Sequence, residues 1–261
     1  MDEAQYIKNA TSQAAIACRL IRAKRKFALT GTPVENSVSD LFSILTVVSP
    51  GLISNSQINR WVKEKDLESF KFLAKSLRPF ILRRNKEQVL KDLPEKSEQI
   101  LYCELSATEK IKYDELKSFY WNNISGKISE KGLAKSKIEV LEALLRLRQA
   151  ACHQGLLDEQ IREQSSTKFD LLLEQLDYVI NEGHKALVFS QFTSLLELLK
   201  YQLNKRNIRF EYLDGKTINR QERIENFQNS DEKKLFLLSL KAGGVGLNLT
   251  SADYVFILDP W

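Results

Sequence analysis

Ala186-Leu-Val-Phe-Ser-Gln-Phe-Thr193 is an apolar run that turns polar within one step. A strand buried on both faces reads as a continuous apolar run rather than an alternating one, as in a parallel sheet covered by helices. Its polar end, at the start of a helix, suits a phosphate. A plain helix N-cap by Thr193 fits the same residues equally well. Working outward, helical periodicity covers 168–182 before the run and 193–206 after it. Then follow a strand at Phe210–Leu213, a helix at 218–228, and strands at Leu235–Leu240 and Tyr254–Leu258. This alternation predicts an α/β doubly wound domain, whose ligands collect at the carboxyl ends of the strands. The residues just after each strand are therefore the informative ones.

Before residue 167 the pattern changes. Ile138–Ala151 reads as an amphipathic helix with Leu141, Leu144, Leu145 and Leu147 on its apolar face, and the polar stretch Ser125–Lys137, with Gly126 and Gly132, reads as a loop. Ser106–Trp121 reads as a helix opened by a Ser-x-x-Glu capping box, Ser106 with Glu109. Glu98–Leu105 alternates and predicts a strand with Ile100 and Tyr102 on one face. Residues 57–96 predict short helices rich in Lys and Arg, Arg83-Arg84 among them. At the front, Ile7–Ile21 has helical spacing through Ala10, Ala14, Ala17 and Cys18. The cluster Arg22-Ala-Lys-Arg-Lys26 closes it and suits the negative end of the helix dipole. Phe27–Leu29 predicts a short buried strand, Thr30-Gly-Thr-Pro33 a turn, and Asn36 a cap for a helix facing inward through Leu41, Ile44, Leu45 and Val48.

Composition removes several function classes. The chain has 261 residues, 43% hydrophobic and 28% charged, enough to bury a core without disulfides or metal staples. No apolar run approaches the roughly 20 residues of a membrane span, and MDEAQYIKNA has neither the basic start nor the apolar stretch of a signal peptide. These features predict a cytoplasmic or nucleoid-associated protein (nuclear in a eukaryote), neither secreted nor in a membrane. Cys18, Cys103 and Cys152 form no CxxC pair, and His153 and His184 are the only histidines, which argues against a zinc ribbon, a disulfide framework or a histidine-rich metal site. The net charge is +5, and it sits at the front: residues 1–100 hold 17 Lys and Arg against 11 Asp and Glu, and the remainder 22 against 23. Polyanion binding and a solvated basic face both fit that asymmetry.

Three further segments could carry chemistry. In Asp2-Glu3-Ala-Gln5, adjacent acids can divide the work of holding Mg²⁺ and polarising a water against a phosphate; an exposed acidic helix start is the alternative. Leu29-Thr-Gly-Thr-Pro-Val-Glu-Asn36 offers hydroxyls to a phosphate or a carboxylate, or is an ordinary turn. Leu237-Leu-Ser-Leu-Lys-Ala-Gly-Gly-Val-Gly-Leu-Asn248 sets three glycines after a strand, where backbone can approach a phosphate closely. It fails the G-x-G-x-x-G pattern of a dinucleotide site.

In chain order, Asp-Glu-Ala-Gln, Leu-Thr-Gly-Thr-Pro, Phe-Ser-Gln-Phe, Tyr212-Leu-Asp-Gly-Lys-Thr217, Lys-Ala-Gly-Gly-Val-Gly-Leu-Asn-Leu and Val255-Phe-Ile-Leu-Asp-Pro-Trp261 closely resemble the SWI/SNF-type ATPases of helicase superfamily two. Residues 78–94 resemble that family's segment after its first lobe. The resemblance implies RecA-like lobes with ATP between them and double-stranded DNA across them. It implies the tail of lobe one at 1–96, a helical linker at 97–166 and lobe two at 167–261. Asp2 would hold Mg²⁺ through water, and Glu3 would orient the attacking water. Gln5 and the turn Thr30, Gly31, Thr32 would couple nucleotide to DNA. Gly246 and Asn248 would face the nucleotide from lobe two. Gln191, Asp214, Gly215, Lys216, Ser239, Lys241, Gly243 and Gly244 would lie along the DNA, and the basic stretch 60–96 would add phosphate contacts.

Two departures stand out. No G-x-x-x-x-G-K-[ST] phosphate loop occurs in the 261 residues, and the Gln-x-x-x-Arg-x-x-Arg helix of arginine fingers is also missing. The expectation is a fragment of an ATP-dependent DNA translocase, cut at both ends and inactive alone, with room for an upstream polypeptide that supplies the loop. The cut would leave strands Leu235–Leu240 and Tyr254–Leu258 uncovered. The alternatives are a non-catalytic nucleic-acid-binding module and a decayed gene product. Trp61 and Trp121 are expected to pack internally, and Cys18 and Cys152 to be small core residues.

Overall fold

The computed structural model describes residues 1–54, 67–90, 94–132, 135–244 and 246–260. It divides into Met1–Ser97 and Glu98–Trp261.

In the first unit a 3₁₀ turn, Ala4–Ile7, precedes helix α1, Gln13–Leu20. The helix expected from Ile7 starts late because the Asn9 side chain takes the Thr11 N–H and the Ser12 hydroxyl caps Ala15, breaking the path. Its buried residue is Ala15, with Cys18 partly covered, so the predicted face is rotated: Ala14 and Ala17 are exposed. Helix α2, Val38–Val48, is capped by Ser37 and not Asn36, in a box with Asp40. Its buried side chains are Phe42, Ser43, Ile44, Leu45 and Val47. Phe42 and Leu45 meet Leu73 and Leu77 of helix α3, Leu67–Leu77, whereas Ile44 and Val47 meet Ala4, Ile7 and Ala15.

Phe27–Leu29 is extended but is not a strand and is not buried, with Phe27 71% exposed. Its ladder is a short one: the Met1 amine donates to the Phe27 carbonyl, Leu29 N–H to Met1, and Ala4 N–H to Leu29. Single turns at Arg78–Phe80 and Lys86–Val89 follow α3. The rest of the short helices expected over 57–96, and Trp61, lie partly or wholly outside the described residues.

In the second unit Glu98–Leu105 forms no strand, and Ile100 and Tyr102 point outward. The alternation is present, but no described strand lies beside it to take its hydrogen bonds. Helix α4, Ala107–Lys131, starts at the predicted capping box and runs on through Gly126 to Gly132, whose positive φ ends it, so the expected loop over Ser125–Lys137 is mostly helix. Trp121 on it is exposed. Helix α5, Lys137–Cys152, buries Ala143, Ala150 and Cys152; Leu141, Leu144 and Leu145 of the predicted face are exposed.

Beyond residue 167 the predicted alternation is present: α6 Thr167–Asn181, β1 Ala186–Ser190, α7 Thr193–Lys205, β2 Phe210–Leu213, α8 Arg220–Asn229, β3 Leu235–Ser239 and β4 Tyr254–Ile257. The strands are all parallel in the order β2-β3-β1-β4. Period-two alternation sends Ala186, Val188, Leu235 and Leu237 to one face, against Phe169, Leu173, Leu176, Leu195, Leu199 and Leu203 of α6 and α7. Leu187, Phe236 and Leu238 go to the other, against Ile224 and Phe227 of α8. Central β3 is fully covered, contrary to the uncovered strand expected there. Edge strand β4 does expose Val255 and Ile257.

Candidate functional site

The acidic pair sits at the head of the first unit. Asp2 is exposed, and one of its oxygens accepts the Glu3 N–H at 2.9 Å. Glu3 takes a left-handed backbone with φ of 50°, a conformation that costs a non-glycine residue free energy and recurs at functional sites. Its carboxylate accepts the Gln5 amide N–H. The other end of that amide, Oε1, accepts the Thr30 hydroxyl at 2.7 Å. Thr30 Oγ1 in turn accepts the Thr32 N–H at 3.1 Å, which closes the turn over Gly31, and the Thr32 hydroxyl donates to Glu35 at 3.2 Å. Glu35 is paired with Lys8. The Lys8 bond holds the Glu35 carboxyl below its usual range, and the same bond raises Lys8. A hydrogen-bonded run thus links Glu3, Gln5, Thr30, Thr32, Glu35 and Lys8. Asp40 braces it from below: its carboxylate takes the Asn36 N–H at 2.9 Å, with those of Ser37 and Glu35, and these bonds lower its pKa.

In the second unit, parallel register sets Ser190 beside Ser239 and Leu213 beside Leu238. The segments after β1, β2 and β3 therefore emerge on one edge of the sheet. Gln191, Asp214, Gly215, Lys216, Ser239, Lys241, Gly243 and Gly244 all belong to that edge, and Gln191, Gly215, Lys216, Lys241 and Gly244 are exposed.

Several of these side chains are already engaged. Ser239 is buried, and its hydroxyl caps the turn Leu240–Gly243 by accepting the Ala242 N–H. A ligand there meets the turn and not that hydroxyl. Asp214 accepts the Lys216 N–H at 2.9 Å and the hydroxyls of Thr217 and Tyr212. Burial pushes its carboxyl up, and these bonds outweigh it and hold the group low. Tyr212 is driven well above its ordinary value by burial and by the Asp214 charge. Asp214 therefore builds its turn. Gly243 needs to be glycine for packing: an added Cβ would meet the Phe189 ring at 2.4 Å. Gly244 and Gly215 have ordinary or open space. Gly246 has φ of 52°, and Asn248 is exposed, with its carbonyl held by Gln228 at 2.7 Å. Thr193 is the first residue of α7 and not its cap, since Ser190 Oγ accepts the Phe192 N–H instead.

Asp259 adds a further group beside Gln191. It is buried, and both carboxylate oxygens accept the Gln191 N–H, at 3.2 and 3.1 Å. Beside it, Lys168 donates to the Leu258 carbonyl at 3.1 Å. The available signal was an acid placed directly after an apolar strand, a position from which it must find a donor.

The sequence pattern of the SNF2-related domain matches residues 1–156, and that of the helicase conserved C-terminal domain matches residues 167–261. The chain belongs to the SNF2 family. An uncharacterized ATP-dependent helicase of Mycoplasma genitalium is 35% identical over all of this SNF2-family chain, which covers 25% of that protein. The mouse chromodomain-helicase-DNA-binding protein 1-like is 34% identical over 99% of the chain, which covers 30% of it. The SNF2-family chain thus spans about a quarter of the length of the curated relatives it matches. Among solved structures, the Sulfolobus solfataricus SWI2/SNF2 ATPase core in complex with dsDNA is 34% identical over the whole chain, with a TM-score of 0.58, and the chain covers 57% of it. The α/β architecture with a parallel sheet is that of RecA-like SNF2 ATPase domains. The names of these relatives are those of helicases, one of them ATP-dependent, and of a SWI2/SNF2 ATPase. No described helix is long and apolar enough to cross a membrane.

Proposed function

We propose that this chain is part of an ATP-driven translocase on double-stranded DNA. It would carry the water-orienting pair and coupling turn of lobe one over 1–96, a linker over 97–166, and the DNA-facing edge of lobe two over 167–261. The observation that carries this reading is the Gln5 amide, which holds Glu3 with one end and Thr30 with the other. A carboxylate that orients a water against a phosphate senses whether that phosphate is present. Through Gln5, a shift of Glu3 reaches the Thr30–Gly31–Thr32 turn and then the Glu35–Lys8 pair.

Asp2 is the residue that would hold Mg²⁺. Magnesium keeps several waters and takes one or two carboxylates plus substrate phosphates, so a single exposed carboxylate fits it. When bound, it supplies charge neutralisation on the phosphates. Gly246 and Asn248 would face the nucleotide. Gln191, the Asp214–Lys216 turn and the Ser239–Gly244 turn would track the DNA backbone, and their shared edge supports that assignment.

The 261 residues contain no phosphate-loop pattern. A polypeptide segment upstream of these residues that carries one would complete the site. The test is ATP turnover by the chain mixed with a polypeptide bearing such a loop, with and without duplex DNA. DNA-stimulated turnover that disappears with Glu3→Gln is the expected result. Turnover indifferent to Glu3→Gln would overturn the assignment of the pair.

A further inference from the structure

We propose that the groove walled by Arg19, Arg22, Lys24, Arg25 and Lys26 is a further contact for the phosphate backbone of duplex DNA, in addition to the second-unit edge of Gln191, the Asp214–Lys216 turn and the Ser239–Gly244 turn. The inference rests on the duplex-DNA reading above. From Asn9 to Val34 the chain has these five cations and no acid. They line one open concavity of about 430 Å³, floored by Ile21, Val48 and Pro50. The Arg19 guanidinium is anchored on the Ala10 carbonyl. None of Arg22, Lys24, Arg25 and Lys26 has an ion-pair partner among the described residues.

Five like charges lining one concavity repel one another with little relief from an acid. A row of anions relieves that repulsion. A lone phosphate would balance only part of it, whereas a duplex presents about one charge per 1.7 Å of axis. The apolar floor suits the aliphatic stems of Lys and Arg, which leave their heads at the rim. The absence of any acid from Asn9 to Val34 sets the groove apart from a face of mixed charge.

The experiment is the salt dependence of duplex binding by the full chain, read by anisotropy of a labelled duplex. The wild type is compared with a variant carrying Arg22→Gln, Lys24→Gln, Arg25→Gln and Lys26→Gln, and with Lys241→Ala from the second unit. Each phosphate contact contributes about 0.9 to the slope of log K against log salt. The quadruple variant should lose about 2 to 4 from the slope and bind at least about tenfold more weakly at low salt. An unchanged slope in that variant, with Lys241→Ala weakening binding, overturns the groove and leaves the duplex-DNA reading intact. No duplex affinity in the wild type at low salt overturns both. If inorganic phosphate at matched ionic strength erases the difference between wild type and variant, the groove is a small-anion site and the proposal fails.

Discussion

Gly243 has no side chain because the Phe189 ring occupies the place where one would sit. Gly243→Ala is therefore expected to destabilise the second unit by about 1–3 kcal/mol, the usual cost of overpacking. Pairing it with Phe189→Leu should recover part of that loss in a denaturation midpoint. His153 gives a pH prediction. It is buried, its Nδ1 accepts the Gly155 N–H at 2.9 Å, and its Nε2 meets the Gln164 carbonyl at 3.0 Å. Only the neutral ring can accept at Nδ1, and burial lowers its pKa below the ordinary 6.5. The unfolded chain thus binds the proton first, so stability should be full above about pH 6.5. It should fall as pH drops toward the depressed folded value and then level off. His153→Gln should flatten that limb in pH-dependent urea melts. At this scale the sequence makes Glu3, Gln5 and Thr30 legible, because their motifs name them. Asp259 and His153 are not legible, because their partners, Gln191 and Gln164, are fixed only by the fold. The polar turn residues Ser239 and Asp214 look like ligands in sequence and are spent on their own backbones.

Glu109 ties two elements together. Its carboxylate accepts from Ser106 at the start of α4 and from the Thr167 N–H, at 3.1 Å, at the start of α6. Glu109→Ala removes both sets of bonds and should cost about 1–3 kcal/mol, more than a single lost cap. Ser106→Ala, which spares the Thr167 bond, should cost less in the same denaturation series. Edge strand β4 leaves Val255 and Ile257 exposed beside unpaired backbone, a template for edge-to-edge association. Val255→Lys is expected to lower light scattering on concentration with little change in melting temperature. The β1 and β3 strands are readable as apolar runs because helices cover both faces. Phe27–Leu29 and Glu98–Leu105 carry strand patterns just as clear, yet Phe27–Leu29 finds only the few bonds to Met1 and Ala4, and no described strand lies beside Glu98–Leu105. The helix α4 runs through Gly126 because one glycine costs only about 1 kcal/mol against alanine, less than 25 residues of helix with a sound cap return.

At the scale of the whole molecule, the chain covers 57% of the solved SNF2 ATPase core and about a quarter of the full-length curated relatives. Its first unit holds the acidic pair and the Thr30–Thr32 turn proposed to couple it, and its second holds the edge proposed to face DNA. The alternation beyond residue 167 and the order of the motifs were enough to read the family. The helical region before it is less legible, since α5 leaves Leu141, Leu144 and Leu145 exposed and helical periodicity alone does not say which face is buried. The central claim is that catalysis needs a phosphate loop this chain does not contain. The measurement that tests it most directly is ATP hydrolysis by the purified 261-residue chain alone, with and without duplex DNA, beside Glu3→Gln. The account predicts no DNA-stimulated turnover in either protein. DNA-stimulated turnover by the wild-type chain that is lost in Glu3→Gln would contradict it.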